Sequence, residues 1–112
     1  MSTISWDDFE KIDIRCGTII EVNDFPKARK PSYQFRIDFG SELGIKRSSA
    51  QVTHYYKKEE LLNRQVIAVV NFPPKQIAGF FSECLILGVY DENNHVILLQ
   101  PERAVTNGQR IG

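Results

Sequence analysis

The 112-residue sequence predicts an all-β protein: a closed or nearly closed barrel of five strands, with one helix between the third and fourth. Two observations carry this. Apolar residues recur every second position in several short segments, the period of a half-buried strand. A single run of good helix formers, YYKKEELLNR, interrupts them. The length fits one domain, and a chain this size buries enough surface for a core without metal or disulfide staples.

The elements follow in order. Ser5-Trp-Asp-Asp8 is patterned as a capping box, with Ser5 as N-cap and Asp8 three residues on. It opens a short helix within an N-terminal extension, residues 1–11, and places Trp6 and Phe9 on one face. From Ile12 to Val22 the even-numbered positions Ile12, Ile14, Cys16, Thr18, Ile20 and Val22 form the expected inner face, with Gly17 marking a bend or bulge. Asn23 to Ser32 is a basic, proline-punctuated loop. Tyr33, Phe35, Ile37 and Phe39 alternate with polar residues in a second strand, Gly40 to Gly44 is a turn, and Ile45 to Val52 is a polar third strand. Thr53 is placed to cap a helix over His54 to Asn63. Gln65 to Asn71 is a fourth, apolar strand. Glu83 to Tyr90 and His95 to Gln100 are strands joined at Asp91 to Asn94. Residues 101–112 form a C-terminal extension with an Asn-Gly turn. This strand and helix order is that of the OB-fold, a small Greek-key barrel; an SH3-like barrel competes on periodicity alone.

The formal net charge is zero but unevenly spread. Lys27 to Arg64 holds nine Lys/Arg and four Asp/Glu, a local +5, against −4 before it and −1 after it. A neutral chain can therefore present a basic face to an anionic partner. No apolar run reaches the ~18 residues of a membrane span, and the acidic N-terminus does not have the pattern of a secretory leader, so a cytoplasmic protein is expected. Cys16 and Cys84 lie in apolar stretches without a CxxC and are expected as buried, reduced thiols. His54 and His95 have no ligand-spaced partners for a metal. The nucleophile elbow, the P-loop and the dinucleotide fingerprint are absent from the sequence. The pattern is that of a binding module: no catalytic residue, metal or cofactor is assigned.

Residues 71–83, NFPPKQIAGFFSE, form the most unusual stretch. A connection between two apolar strands ought to be polar, yet it carries Phe72, Phe80 and Phe81 beside Pro73 and Pro74. Both prolines fix φ and remove N–H donors, so the loop loses little entropy when a ligand docks. Its rings can grip apolar side chains or stack bases. Adjacent residues of an extended segment face opposite sides; Phe80, directly after Gly79, is assigned inward and Phe81 outward.

Three stretches carry a resemblance: Asp13-Ile-Arg-Cys-Gly17, Ser48-Ser-Ala-Gln-Val-Thr-His-Tyr-Tyr56, and Asn71 to Ser82 with its N-x-x-P and G-x-x-S spacing. Ile37 to Gly40 and the ending Val105 to Gly112 extend it, so it runs from about Phe9 to Gly112. In these the sequence resembles the tRNA-binding OB-domain family, and within it the CsaA-type branch of secretion-related chaperones. The resemblance implies a non-enzymatic OB-fold homodimer that binds non-native or secretory polypeptides, with tRNA binding through the OB groove as the alternative. The polypeptide-binding set is Phe72, Pro73, Pro74, Phe80, Phe81 and Ser82. The RNA-binding set is Lys27, Arg29, Lys30, Lys46, Arg47, Ser48, Ser49, Gln51, Lys75 and Ser82. The dimer interface is assigned to Trp6, Phe9, Val105 and Ile111. Ser82-Glu-Cys-Leu85 and Phe72-Pro-Pro74 depart from the more basic loop of many tRNA-binding members and leave this groove more apolar.

Overall fold

The computed structural model describes residues 1–112. Helix α1 (Trp6–Glu10) starts on the expected capping box: the Ser5 hydroxyl accepts from the Asp8 N–H at 3.1 Å and the Asp8 carboxylate accepts from the Ser5 N–H at 3.2 Å. Strands β1 (Ile14–Asp24), β2 (Tyr33–Asp38), β3 (Ile45–Ala50), β4 (Gln65–Val69) and β7 (Leu85–Ile86) make one antiparallel sheet in the order β3-β2-β1-β4-β7. It curls into a nearly closed barrel, an OB-fold. The seam between β3 and β7 is drawn together at one end, where the Glu83 N–H donates to the Arg47 carbonyl at 2.8 Å.

The core follows from the second strand as expected: Phe35, Ile37 and Phe39 are fully buried, packed with Ile19, Val66, Ala68 and Leu61. The first strand corrects the expected face. Gly17 and Ile19 point inward over the first half of β1, and Ile20 is exposed. The cause is a bulge: Ile19 pairs with Ile37, but the next residue in register, opposite Arg36, is Glu21. One extra residue shifts the alternation, so that Val22 packs against the core from beyond the bulge. Gly17 serves close packing: a Cβ there would lie 2.7 Å from the Phe39 ring. Cys16 is buried on the other side, beneath the C-terminal segment, whose Gln109 carbonyl accepts its N–H at 3.0 Å.

Four further elements differ from expectation. The turn at residues 40–44 is a single-turn helix, α2 (Gly40–Leu43). The helix expected over His54 to Asn63 shrinks to α3 (Lys58–Leu61), with Lys57 rather than Thr53 as N-cap. Tertiary contacts hold the preceding aromatic residues out of it. Tyr56 accepts at its carbonyl from the Tyr33 hydroxyl, 2.8 Å, and at its own hydroxyl from the Leu98 N–H, 3.0 Å. His54 stacks on His95 with centroids 3.5 Å apart, and the Tyr55 hydroxyl donates to Asp91. The stretch expected as a loop is a hairpin, β5 (Lys75–Ile77) and β6 (Phe80–Ser82), turned at Ala78 and Gly79, both at positive φ (49° and 82°). The strand expected from Glu83 to Tyr90 breaks after β7; its second part, β8 (Gly88–Tyr90), pairs with β9 (Val96–Leu98).

The C-terminal extension takes the edge of β1 that β2 leaves free. Arg15 and Arg110 form a β-bridge, and the Ile111 N–H donates to the Ile14 carbonyl at 2.9 Å. No helix is long and apolar enough to cross a membrane.

A candidate ligand-binding cleft

Where β3 and β7 diverge, a cleft of about 840 Å³ opens at the barrel surface. Ser49, Ala50, Gln51 and Val52 form one side, and Leu85 and Ile86 the other. The β8–β9 hairpin contributes Tyr90, Val96 and Leu98, and Ile77 reaches in from the β5–β6 hairpin. The basic loop supplies Arg29 and Lys30. Neither is in a salt bridge, and no carboxylate lines the cleft. It is an apolar trough with a cationic rim.

The RNA-binding set divides on this geometry. Arg29, Lys30, Ser49 and Gln51 come together in the cleft. Lys27 and Lys75 are exposed, and Lys46 half-buried, outside its lining. Arg47 is committed to Glu83, Nε to Oε1 at 3.3 Å. Ser48 leaves the ligand-facing set: it is fully buried, opposite Phe35 in the ladder, and its hydroxyl donates to the Cys84 carbonyl at 2.7 Å. Ser82 donates to the same carbonyl at 3.3 Å.

The polypeptide-binding set divides as well. Ile77 pairs with Phe80 and Gln76 with Phe81, so the two phenylalanines face opposite sides of the hairpin. Phe80 is half-buried, edge-on to Phe25 at 5.5 Å, while Phe81 is 45 % exposed and Phe72 55 % exposed. Phe72, Pro73, Pro74 and Phe81 lie outside the cleft lining. Sequence reasoning missed Phe25, whose buried ring joins the basic loop to β6; the signal was an aromatic residue before Pro26. It also missed Ile77. Burial pushes the Cys84 thiol up to about 11, so this cysteine is inert rather than nucleophilic.

The motif residues outside the cleft are largely structural. Asp13 accepts from Arg15 Nε at 2.6 Å, which holds the guanidinium above its usual range, and Arg15 Nη1 donates to the Gly108 carbonyl at 2.9 Å. The Asn71 side chain accepts from the Asp13 N–H at 3.0 Å and donates to the Lys11 carbonyl at 2.7 Å. Asn107 accepts from Thr18 at 2.7 Å. These bonds fasten both extensions to the barrel.

Residues 14–110 match the family model of the putative tRNA binding domain. The chain belongs to this family. It is 53 % identical to the CsaA chaperone protein from Picrophilus torridus, over 98 % of this chain and all of that one, with a TM-score of 0.92. It is 47 % identical to chaperone CsaA from Bacillus anthracis, over 99 % of this chain and all of that one, with a TM-score of 0.93. Among curated relatives, methionine–tRNA ligase of Pyrococcus abyssi is 41 % identical over 108 residues, 96 % of this chain. The chain spans only 14 % of that ligase's length. The family's domain is described as a putative tRNA-binding one, and in the methionine–tRNA ligases the matching region is a small part of a much longer enzyme.

Proposed function

We propose that this protein is a non-enzymatic, cytoplasmic chaperone that binds non-native polypeptides, including secretory preproteins. The observation that carries the reading is the cleft: an apolar trough of about 840 Å³ with an unpaired cationic rim. Outside its lining, Phe72 and Phe81 add exposed apolar surface. Likeness over the whole chain to two proteins named as CsaA chaperones supports it. A reduced, unfolded, fluorescently labelled polypeptide and a labelled tRNA should be titrated onto one sample at two salt concentrations. The reading expects polypeptide binding that survives added salt, because burial of apolar surface is not screened. Binding of tRNA alone would sink it.

The family match favours a second reading, tRNA binding, with Lys27, Arg29, Lys30, Lys46 and Lys75 as phosphate contacts. Such contacts position the ligand without specifying sequence.

The working unit is a homodimer. Trp6 is 80 % exposed and Val105 40 %, and Phe9 and Ile111 are only half-buried, which leaves an apolar surface on the two extensions for a second copy. Light scattering should give twice 12.9 kDa; the monomer mass at micromolar concentration would overturn this.

A further inference from the structure

The barrel seam is closed at Arg47 and open from Ser49 onward. The Arg47 N–H donates to Glu83 Oε1 at 2.9 Å, and its carbonyl accepts from the Glu83 N–H at 2.8 Å. Both of its backbone groups therefore point away from β2. The β2–β3 register is unbroken from Asp38↔Ile45 to Tyr33↔Ala50. In a regular antiparallel ladder, residues two apart direct their N–H and C=O to the same side. Ser49 thus presents both groups to the seam, where this residue lines the cleft, and no backbone bond joins it to β7 or to any loop.

We infer that polypeptide binds by strand addition, pairing its backbone with the open edge of β3 at Ser49. This rests on the chaperone reading and specifies how the ligand is held. An extended peptide supplies an acceptor and a donor at the spacing that Ser49 requires. Phosphate oxygens accept from an N–H but cannot donate to the carbonyl. The walls suit alternate side chains of such a strand: apolar ones toward Leu85 and Val96, and an acidic one toward Arg29 and Lys30, in a cleft lined by no carboxylate. Main-chain bonds confer affinity without sequence, which suits a binder of many non-native chains.

The test uses the full-length protein and a labelled nonapeptide of alternating apolar (Leu, Val) and polar (Thr, Glu) residues. Two further versions carry N-methyl groups on the odd or on the even amides. Only every second amide of an added strand faces β3, so one version should lose about tenfold or more in affinity and the other much less. Equal affinities of the two methylated versions would overturn strand addition while leaving the chaperone reading intact. Failure of all three peptides to bind, with tRNA bound by the same sample, would overturn both. A Ser49→Pro variant removes the outward N–H together with the side-chain hydroxyl, for which Ser49→Ala is the control; proline is tolerated on an edge whose N–H makes no ladder bond. The proline variant should keep the wild-type melting temperature within a few degrees and weaken the unmethylated peptide; unchanged peptide affinity in the folded variant also overturns the inference.

Discussion

The Ser48 hydroxyl donates to the Cys84 carbonyl at 2.7 Å, inside the barrel and across the seam between β3 and the start of β7. A polar side chain with no accessible surface stands among apolar ones and replaces a ladder bond that the diverging strands cannot make. The hydroxyl belongs to the fold rather than to the ligand.

Removing it has a calculable consequence. Ser48→Ala leaves the Cys84 carbonyl with only the longer bond from Ser82. Loss of one partner of a buried hydrogen bond costs about 1–3 kcal/mol. For a domain of this size the melting temperature should fall by roughly 4–15 °C. Calorimetry checks this, and RNA and peptide affinities of the folded variant should stay near wild type. A loss of affinity without loss of stability would return Ser48 to the binding surface.

The two adjacent phenylalanines should behave oppositely. Phe80 is half-buried against Phe25, so Phe80→Ser should lower the melting temperature, by less than the about 3–5 kcal/mol of a fully buried ring. Phe81 is 45 % exposed, so Phe81→Ser should leave melting nearly unchanged. If the hairpin's outer face meets the ligand, the same variant weakens polypeptide binding by about tenfold, equivalent to about 1.4 kcal/mol. Equal destabilisation by both substitutions, with no selective loss of affinity, would mark the hairpin as core alone.

Much of this was legible from local pattern, and the failures have local causes. The capping box at Ser5 and the apolar face of β2 depend on neighbours three or two residues away, and both stand as expected. The phase of β1 does not: the bulge at residues 19–21 puts two residues where one was counted, and no periodicity shows it. The helix over 54–63 was a matter of propensity, which Tyr55, Tyr56 and His54 override by reaching Asp91, Leu98 and His95, about forty residues away. The hairpin turn hid behind Ala78, a residue that rarely takes positive φ. In the cleft, Arg29, Lys30, Ser49 and Gln51 were readable from charge and polarity. Phe25 and Ile77 were not, because which apolar residue fills a gap between two elements is decided by the packing.

The link between Tyr55 and Asp91 should set a pH window for the β8–β9 hairpin. The Tyr55 hydroxyl holds the Asp91 carboxyl below its ordinary value, and Asp91 in turn raises the Tyr55 phenol. A depressed carboxylate contributes stability above its unfolded value, near 4, and loses that contribution as pH falls through the folded value. A raised phenol contributes below its unfolded value, near 10, and loses that as pH rises through the folded one. Tyr55→Phe removes both. The melting difference between wild type and variant should be widest between about pH 4 and 10 and narrow outside it. A difference independent of pH would show that the hydroxyl does not bond to the ionised carboxylate.

The basic loop gives the sharpest test of the tRNA reading. Lys27, Arg29 and Lys30 stand together without an acidic partner, and two of them rim the cleft. Each phosphate that a protein neutralises on a duplex contributes about −0.9 to the slope of log affinity against log salt. With about three to five contacts among these residues, Lys46 and Lys75, the wild-type slope should be roughly −2 to −4. Arg47 contributes little, because Glu83 already holds it. Replacing Lys27, Arg29 and Lys30 together with glutamine should flatten the slope by about 2 to 3 and weaken tRNA binding across sequences alike. The variant should fold normally, since all three side chains are exposed. Filter binding or anisotropy across a salt series measures the slope. If the triple variant keeps the wild-type slope, the loop does not touch phosphate, and the positive rim of the cleft serves acidic side chains of polypeptide instead.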